Sequence, residues 1–316
     1  MSVARQAFWP GIICCLGFGT VLADDAISLR YKPTRGERLV YRCQTDVGQV
    51  QTIKDTKIDQ ELSQQQLCTR TVDEIDAEGN ARVSLKTERF KLSAKFGPAG
   101  DYEFNSQSDQ RDRKSKIGAA ITPIFERLVG SKIRAVVTPH GEVREVTGYE
   151  ELLHDLLVNN PIGLQFTGGG SNEAARMGLQ DQFIVLSRNA LKPGESWEVP
   201  WDTELPRLGK TRGKRIYKYV GPDKVGSLAT AKIDATFELS YDVDIDMPEA
   251  KITGSVAVIK SSSVVQFDVA AGRLISSQAS FSLRGELSVE ANGEKTPIQI
   301  EQTQKITFEL LDNLPQ

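Results

Sequence analysis

Histidine is nearly absent from this sequence: only His140 and His154 occur in 316 residues. His154 stands beside Asp155, but a histidine base also needs a nucleophile, and no G-x-S-x-G elbow occurs to supply one. His140 falls in a Pro-His-Gly turn, where an exposed polar residue is the ordinary occupant. The chain is therefore expected not to be an enzyme. Metal chemistry fares no better. "YDVDIDMPE" puts Asp242, Asp244 and Asp246 on one face of a strand, about 6.8 Å apart in sequence, too far for one strand to close a calcium shell. A calcium loop of the EF-hand type would also want Gly at 247 and Glu at 253, where Met247 and Thr253 stand. No metal or cofactor is expected, and an acidic solvated face is the simpler reading.

A dominant charge is lacking too: 39 Lys and Arg stand against 42 Asp and Glu. Nucleic-acid binders concentrate basic charge on one face, so no nucleic-acid partner is expected. Two basic runs remain, Arg111, Arg113 and Lys114 in "RDRKSK" and Lys210, Arg212, Lys214 and Arg215 in "GKTRGKR". They are candidate contacts for an anionic surface, or else solvated loops. "FTGGGSNEA" lacks the lysine of a phosphate-cradling loop and reads as a helix entry.

Long apolar runs are missing except near the N-terminus. Arg5 precedes an apolar stretch from Ala7 to Leu22, about 16 residues broken by Pro10 and three glycines, against roughly 20 needed to span a bilayer. With "VLADD" following, residues 1–23 read as a signal peptide cut before Asp24, giving an exported protein, periplasmic or secreted, with no transmembrane anchor after cleavage. Arg5 is the only charge removed, so the remainder carries 38 basic and 42 acidic residues.

Cysteine is scarce, and only Cys43 and Cys68 lie beyond residue 23. Residues 37–50 and 58–75, paired as a hairpin turning at Asp55 and Thr56, would place these two opposite each other. In an exported chain that predicts a structural disulfide. A redox pair would use C-x-x-C, which is absent.

What the chain does have is alternation with period two, the mark of half-buried antiparallel strands. "ERLVYRCQT", "NARVSLKTERFKLSAKF", "ATAKIDATFELSYDV", "KITGSVAVIKSSSVVQFDV" and "TPIQIEQTQKITFELL" all show it, with polar positions rich in Ser, Thr, Gln and Lys as for a solvated sheet face. Asn292-Gly293 marks a hairpin. Helical spacing is confined to the middle: around 121–129 with Pro123 in its first turn, at "GYEELLHDLLVNN", and at "SNEAARMGLQDQFIVLS" with a Ser171 or Asn172 cap and Ala175, Leu179, Phe183 and Leu186 on one stripe. "NPIGLQFTGGG" reads as a loop.

The chain also echoes itself. Lys-Pro and Gly-Glu at 32–37 lead into a strand, and Lys192-Pro193-Gly194-Glu195 lead into another. "EGNARVSL" and "VGSLATAKI" follow in the same order, and then "VVTPHGEV" and "FDVAAGRL", with Gly141 laid on Gly272. The expected fold is mainly β: two related antiparallel sheet halves, 24–148 and 188–316, joined by a short helical segment at 149–187.

"YKPTRGERLVYR", "VTPHGEVREVTG" and "LKPGESW", with the helical middle, resemble an uncharacterised family of secreted bacterial all-β proteins, a domain of unknown function. The resemblance implies architecture and export and assigns no activity. In layout alone the chain is similar to periplasmic lipoprotein-carrier folds, in which a curved sheet wraps helices around an apolar cavity. Two functions follow as expectations. One is a non-catalytic binding or scaffold module for an envelope or extracellular ligand. The other is a carrier of a lipid-like ligand in a cavity lined by Leu152, Leu156, Phe166, Leu179 and Phe183.

Overall fold

The computed structural model describes residues 26–109, 111–167, 170–205, 209–247, 250–291 and 293–315. The expected signal segment and Asn292 lie outside them. Alternating side chains that are half apolar and half polar settle as strands because only a pleated sheet sends the two sets to opposite faces. The strands are β1 (Arg38–Ile53), β2 (Thr56–Ile75), β3 (Ala81–Lys95), β4 (Asp101–Asn105), β5 (Lys132–Val137), β6 (Val143–Thr147), β7 (Ser196–Leu205), β8 (Gly209–Val225), β9 (Leu228–Met247), β10 (Ala250–Asp268), β11 (Arg273–Ala291) and β12 (Glu294–Leu311). They form one sheet in the order β6-β5-β3-β2-β1-β12-β11-β10-β9-β8-β7, with β4 pairing the far half of β3. Every ladder is antiparallel.

That order repeats. β6-β5-β3-β2-β1 and β11-β10-β9-β8-β7 are the same arrangement set side by side, with β12 between them. The Gly-Glu echo is one turn built twice. Gly36 N–H donates to Val72 O at 2.8 Å and Val72 N–H to Glu37 O at 2.9 Å, while Gly194 N–H donates to Tyr219 O at 2.7 Å and Tyr219 N–H to Glu195 O at 2.9 Å. In both turns the glutamate reaches back to cap the main chain three residues earlier, from Thr34 at 3.4 Å and from Lys192 at 2.8 Å.

The stretches leading into the two halves cross at one end of the sheet, which we call the base. Ile27 and Leu191 exchange both backbone hydrogen bonds at 2.8 Å. Each stretch then docks on a hairpin tip of the other half: Lys32 N–H donates to Gly272 O at 3.0 Å, and Leu186 N–H to His140 O at 2.8 Å. His140 is thereby half-buried rather than exposed, and burial lowers its pKa. Leu29, Ile184, Leu186 and Leu191 plug the base against Tyr41, Tyr217, Ile233, Phe267 and Phe308.

Four helices, α1 (Lys116–Leu128), α2 (Tyr149–Leu157), α3 (Pro161–Phe166) and α4 (Asn172–Gln180), cover one end of the sheet. Ile121 and Phe125 of α1 pack on Phe90, Leu92, Tyr102 and Phe104, and Leu179 of α4 packs on β3, β5 and β6. Ser115 and Ser171 cap α1 and α4 by accepting from Gly118 N–H and Ala174 N–H. Several expectations are corrected here. α1 starts five residues before 121, so Pro123 lies in its interior. A short helix, α3, occupies the stretch expected to be a loop. α4 ends at Gln180, because the Gln180 side chain accepts from Val143 N–H and donates to Gly141 O and Phe183 O, each at 2.9 Å, turning the chain toward the base.

Gly36 and Gly141 separate backbone strain from crowding. Both hold φ near +80°, at 82° and 83°, but a Cβ on Gly36 meets nothing within 4 Å. One on Gly141 would strike the Ile184 carbonyl and the Tyr31 ring. Gly36→Ala should cost about 1–2 kcal/mol for the left-handed backbone alone. Gly141→Ala should cost more than about 3 kcal/mol, since it must also push the crossing segment off the hairpin tip. Urea unfolding of the two variants checks the difference.

Candidate functional site

Opposed residues in a ladder share a face, so the register assigns the whole inner surface. It carries Tyr41, Cys43, Val47, Gln49 and Ile53 on β1, Ile58, Gln60, Leu62, Gln64 and Gln66 on β2, and Ile298, Ile300, Gln302, Gln304, Ile306 and Phe308 on β12. Across β11, β10 and β9 it continues through Phe281, Leu283, Leu287, Val289, Ile252, Val256, Val258, Phe237, Leu239, Tyr241, Val243 and Ile245. The other face of the same strands carries Asp46, Lys57, Asp59, Glu61, Glu238, Asp242, Asp244, Arg284, Glu286, Glu301 and Lys305.

Two properties set the inner face apart. Over these six adjacent strands, from β9 through β12 and β1 to Cys68 of β2, its positions contain no Asp, Glu, Lys, Arg or His except Glu294, which opposes Ala291 at the tip of the β11–β12 hairpin. Away from the base its side chains are also mostly half-exposed, whereas Phe90 and Leu92, beneath α1, are 6% and 1% exposed. Among the described residues nothing packs down on this part of the sheet as α1 does on β3. Its polarity is neutral amide: Gln60, Gln49 and Gln302 form one row across β2, β1 and β12, with Gln49 Nε2 donating to Gln60 Oε1 at 2.9 Å. Where the β9–β10 ladder shifts between Ala257 and Ser263, Ser261 Oγ accepts from Phe237 N–H at 2.8 Å and donates to Phe237 O at 2.9 Å. That bridge keeps the main chain satisfied and lets Phe237 and Phe281 meet edge to face at 5.0 Å.

The residues expected to line a single cavity are separated. Leu152 and Leu156 pack among α1, α2 and α3 beside Ile124 and Leu153. Leu179 and Phe183 are buried under β3, β5 and β6. Phe166 ends α3, and its side chain lies outside the described residues. The helices therefore cover the β2–β6 end of the face and leave the rest open.

The basic runs are mostly neutralised. Arg111 and Arg113 share Glu126 at 2.6 and 2.5 Å, Lys210 meets Asp202 at 3.2 Å, Arg212 meets Asp242 at 2.5 Å, and Lys214 meets Glu198 at 3.0 Å. Arg215 pairs with Asp181, and Lys114 is exposed. Lys210, Arg212 and Lys214 are the basic half of a cross-strand ladder on the outer face of β7, β8 and β9. Among the described residues no group of three or more metal-type ligands occurs.

The cysteines share the inner face but are offset. The hairpin turns at Lys54-Asp55, with Lys54 at φ 53°, so Cys68 opposes Tyr41 and Cys43 opposes Gln66. The register is two residues from the one a disulfide needs, and both thiols are free. Diagonal neighbours lie about 7–8 Å apart, beyond disulfide reach. Burial pushes the Cys68 thiol up to about 12 and raises that of Cys43.

No family model and no curated protein matches the chain. Among solved structures it is similar to a lipovitellin structure described by its lipid–protein interactions, at 12% identity and a TM-score of 0.42 over 89% of this chain and 25% of that one. The chain thus spans about a quarter of the lipovitellin chain's length. It is also similar to OccK7 of Pseudomonas aeruginosa, at 7% identity and a TM-score of 0.24 over 87% and 99% of the two chains. OccAB4 of Acinetobacter baumannii gives 6% and 0.22 over 89% and 100%. Likenesses this low say nothing of function, and the chain's own residues must.

Two buried, protonated, offset thiols should react slowly with maleimide in the native protein and fully once unfolded, with no reductant added. Mass spectrometry counts the adducts. Labelling that requires reductant would restore the disulfide.

Proposed function

We propose that the protein is a non-catalytic, exported lipid-binding module whose uncovered inner face holds acyl chains. The observation that carries this reading is the surface of six strands, free of charge except for Glu294 at a hairpin tip, bounded by helices at one end and a plugged base. Strands are about 4.8 Å apart and rise about 3.3 Å per residue, so the face measures on the order of 1,000 Å². Acyl chains of one bilayer leaflet reach about 15 Å and would lie within it. Such chains carry no charge and ask for none. The amide row on β2, β1 and β12 adds donors and acceptors for an ester or hydroxyl without the desolvation cost of an ion. The face's carboxylate, Glu294, stands at the hairpin tip, and across the rest of the six strands no acid or base is placed to turn a bound lipid over.

The compartment follows from the signal-like residues 1–23: a lipid met outside the cytoplasm needs a protein surface to cross water. The scaffold alternative would have the face covered by a second copy of the chain.

Native mass spectrometry of the exported protein, before and after organic extraction, tests the reading. A monomer carrying lipid adducts lost on extraction is expected. Leu283→Lys, which puts a charge at the centre of the face, should reduce bound lipid at least tenfold, with unfolding changed by less than about 1 kcal/mol because the site is half-exposed. A bare monomer would overturn the reading. A bare dimer dissociated by Leu283→Lys would replace it with self-association.

A further inference from the structure

We infer that Arg70 forms a binding site for a compact monovalent anion, a halide or a carboxylate, in the cavity between the two halves at the base. Arg70 lies on the inner face of β2 and is 6% exposed. Its Nε and Nη2 are buried with no hydrogen-bond partner, and no ion pair of Arg70 is found among the described residues. The guanidinium is held flat instead, 3.7 Å from the Phe183 ring centroid and 4.7 Å from that of Tyr41. Rings on its faces leave only the edge of the guanidinium, where its N–H groups point, for a ligand.

Arg70 lines a cavity of about 40 Å³ together with Tyr31, Tyr41, Glu37, Thr138 and Arg273. Arg273 adds a second unpartnered nitrogen, its buried Nε. Its nearest carboxylates are too far for hydrogen bonds, Asp268 at 3.8 Å and Glu37 at 3.9 Å. Glu37 is occupied as a turn cap and makes no hydrogen bond or ion pair with Arg70 among the described residues, although its charge acts on the guanidinium across the cavity. The tyrosines are no counter-ion, since burial holds both hydroxyls protonated and Tyr31 already accepts from Ile184 N–H at 3.1 Å.

A buried cation without a partner is costly, and an anion beside the Arg70 guanidinium, with Arg273 on the same cavity, offsets that cost. About 10–15 Å³ accommodates one water-sized group, so the cavity has room for a chloride or the head of a carboxylate and little more. Glu37 at its edge disfavours a second negative charge.

The ligand can be a free halide or the carboxylate head of an amphiphile. Thermal unfolding of the lipid-free, full-length protein, with isethionate, a sulfonate, holding the ionic strength, distinguishes them. Chloride should raise Tm by about 3 °C per tenfold increase above its dissociation constant. If decanoate does so and decanol does not, the amphiphile head is the ligand. In Arg70→Gln either response should vanish, and in Arg273→Gln it should weaken. If Arg70→Gln does not fold, chloride-35 line broadening in the wild-type protein that bromide competes away gives the same answer. Equal Tm in chloride, decanoate and isethionate, an undiminished response in Arg70→Gln, or no line broadening overturns the site. The chloride measurement uses lipid-free protein, so it is decided separately from the lipid reading.

Discussion

Much of this structure depends on how the two lead-in segments cross. A sheet this wide, with one apolar face, needs something to hold it curved, since strand twist alone does not fix where the face closes. Here the Ile27–Leu191 exchange joins the stretches that precede β1 and β7, and each docks on the other half's hairpin tip. Leu29, Ile184 and Leu186 fill the space enclosed. Closure therefore happens at one end. The face above it is shaped by the sheet and left uncovered.

That arrangement divides the labour along each long strand. On β9, Ala231, Ile233 and Ala235 are buried in the plugged base, while Phe237, Leu239 and Tyr241, on the same face, are half-exposed. The stability of the fold is concentrated in the first group and beneath the helices. The second group can change its company without unfolding the first, which is what a surface that takes up and gives off a ligand requires.

Much of the fold was legible in the sequence because period-two alternation is a direct consequence of the pleat. The two Gly-Glu turns were legible because a positive φ needs glycine at Gly36 and Gly194, and the order of turn signals anticipated the repeated strand order. The disulfide was not, because register depends on which two residues turn the hairpin: Lys54 enters the left-handed region despite its side chain, moving the cysteines past each other. The helix expected to run to Leu186 stops early because Gln180 finds main-chain partners distant in sequence. The residues expected to share one cavity were separated for a similar reason. Leucine stripes on helices announce burial, and these helices do bury them against one another and the sheet. The scarcity of charge on one face of six strands becomes a surface only once the strand order sets those strands side by side, and Arg70 was one basic residue among many until Phe183 closed over it.

The pairing of β1 with β12 has a temporal side. Val40 opposes Leu311, so the seam between the two halves joins residues some 270 positions apart. Contacts of such long range form slowly, because the chain must surrender the freedom of a very large loop before any ladder bond rewards it. Until β12 arrives, β1 and β11 each present a long open edge, the usual template for pairing with a stranger. The halves can condense early as local meanders, while the seam waits for the last strand to emerge. A chain delivered end-first across a membrane would spend that interval with both edges bare, so its passage calls for something to shield them.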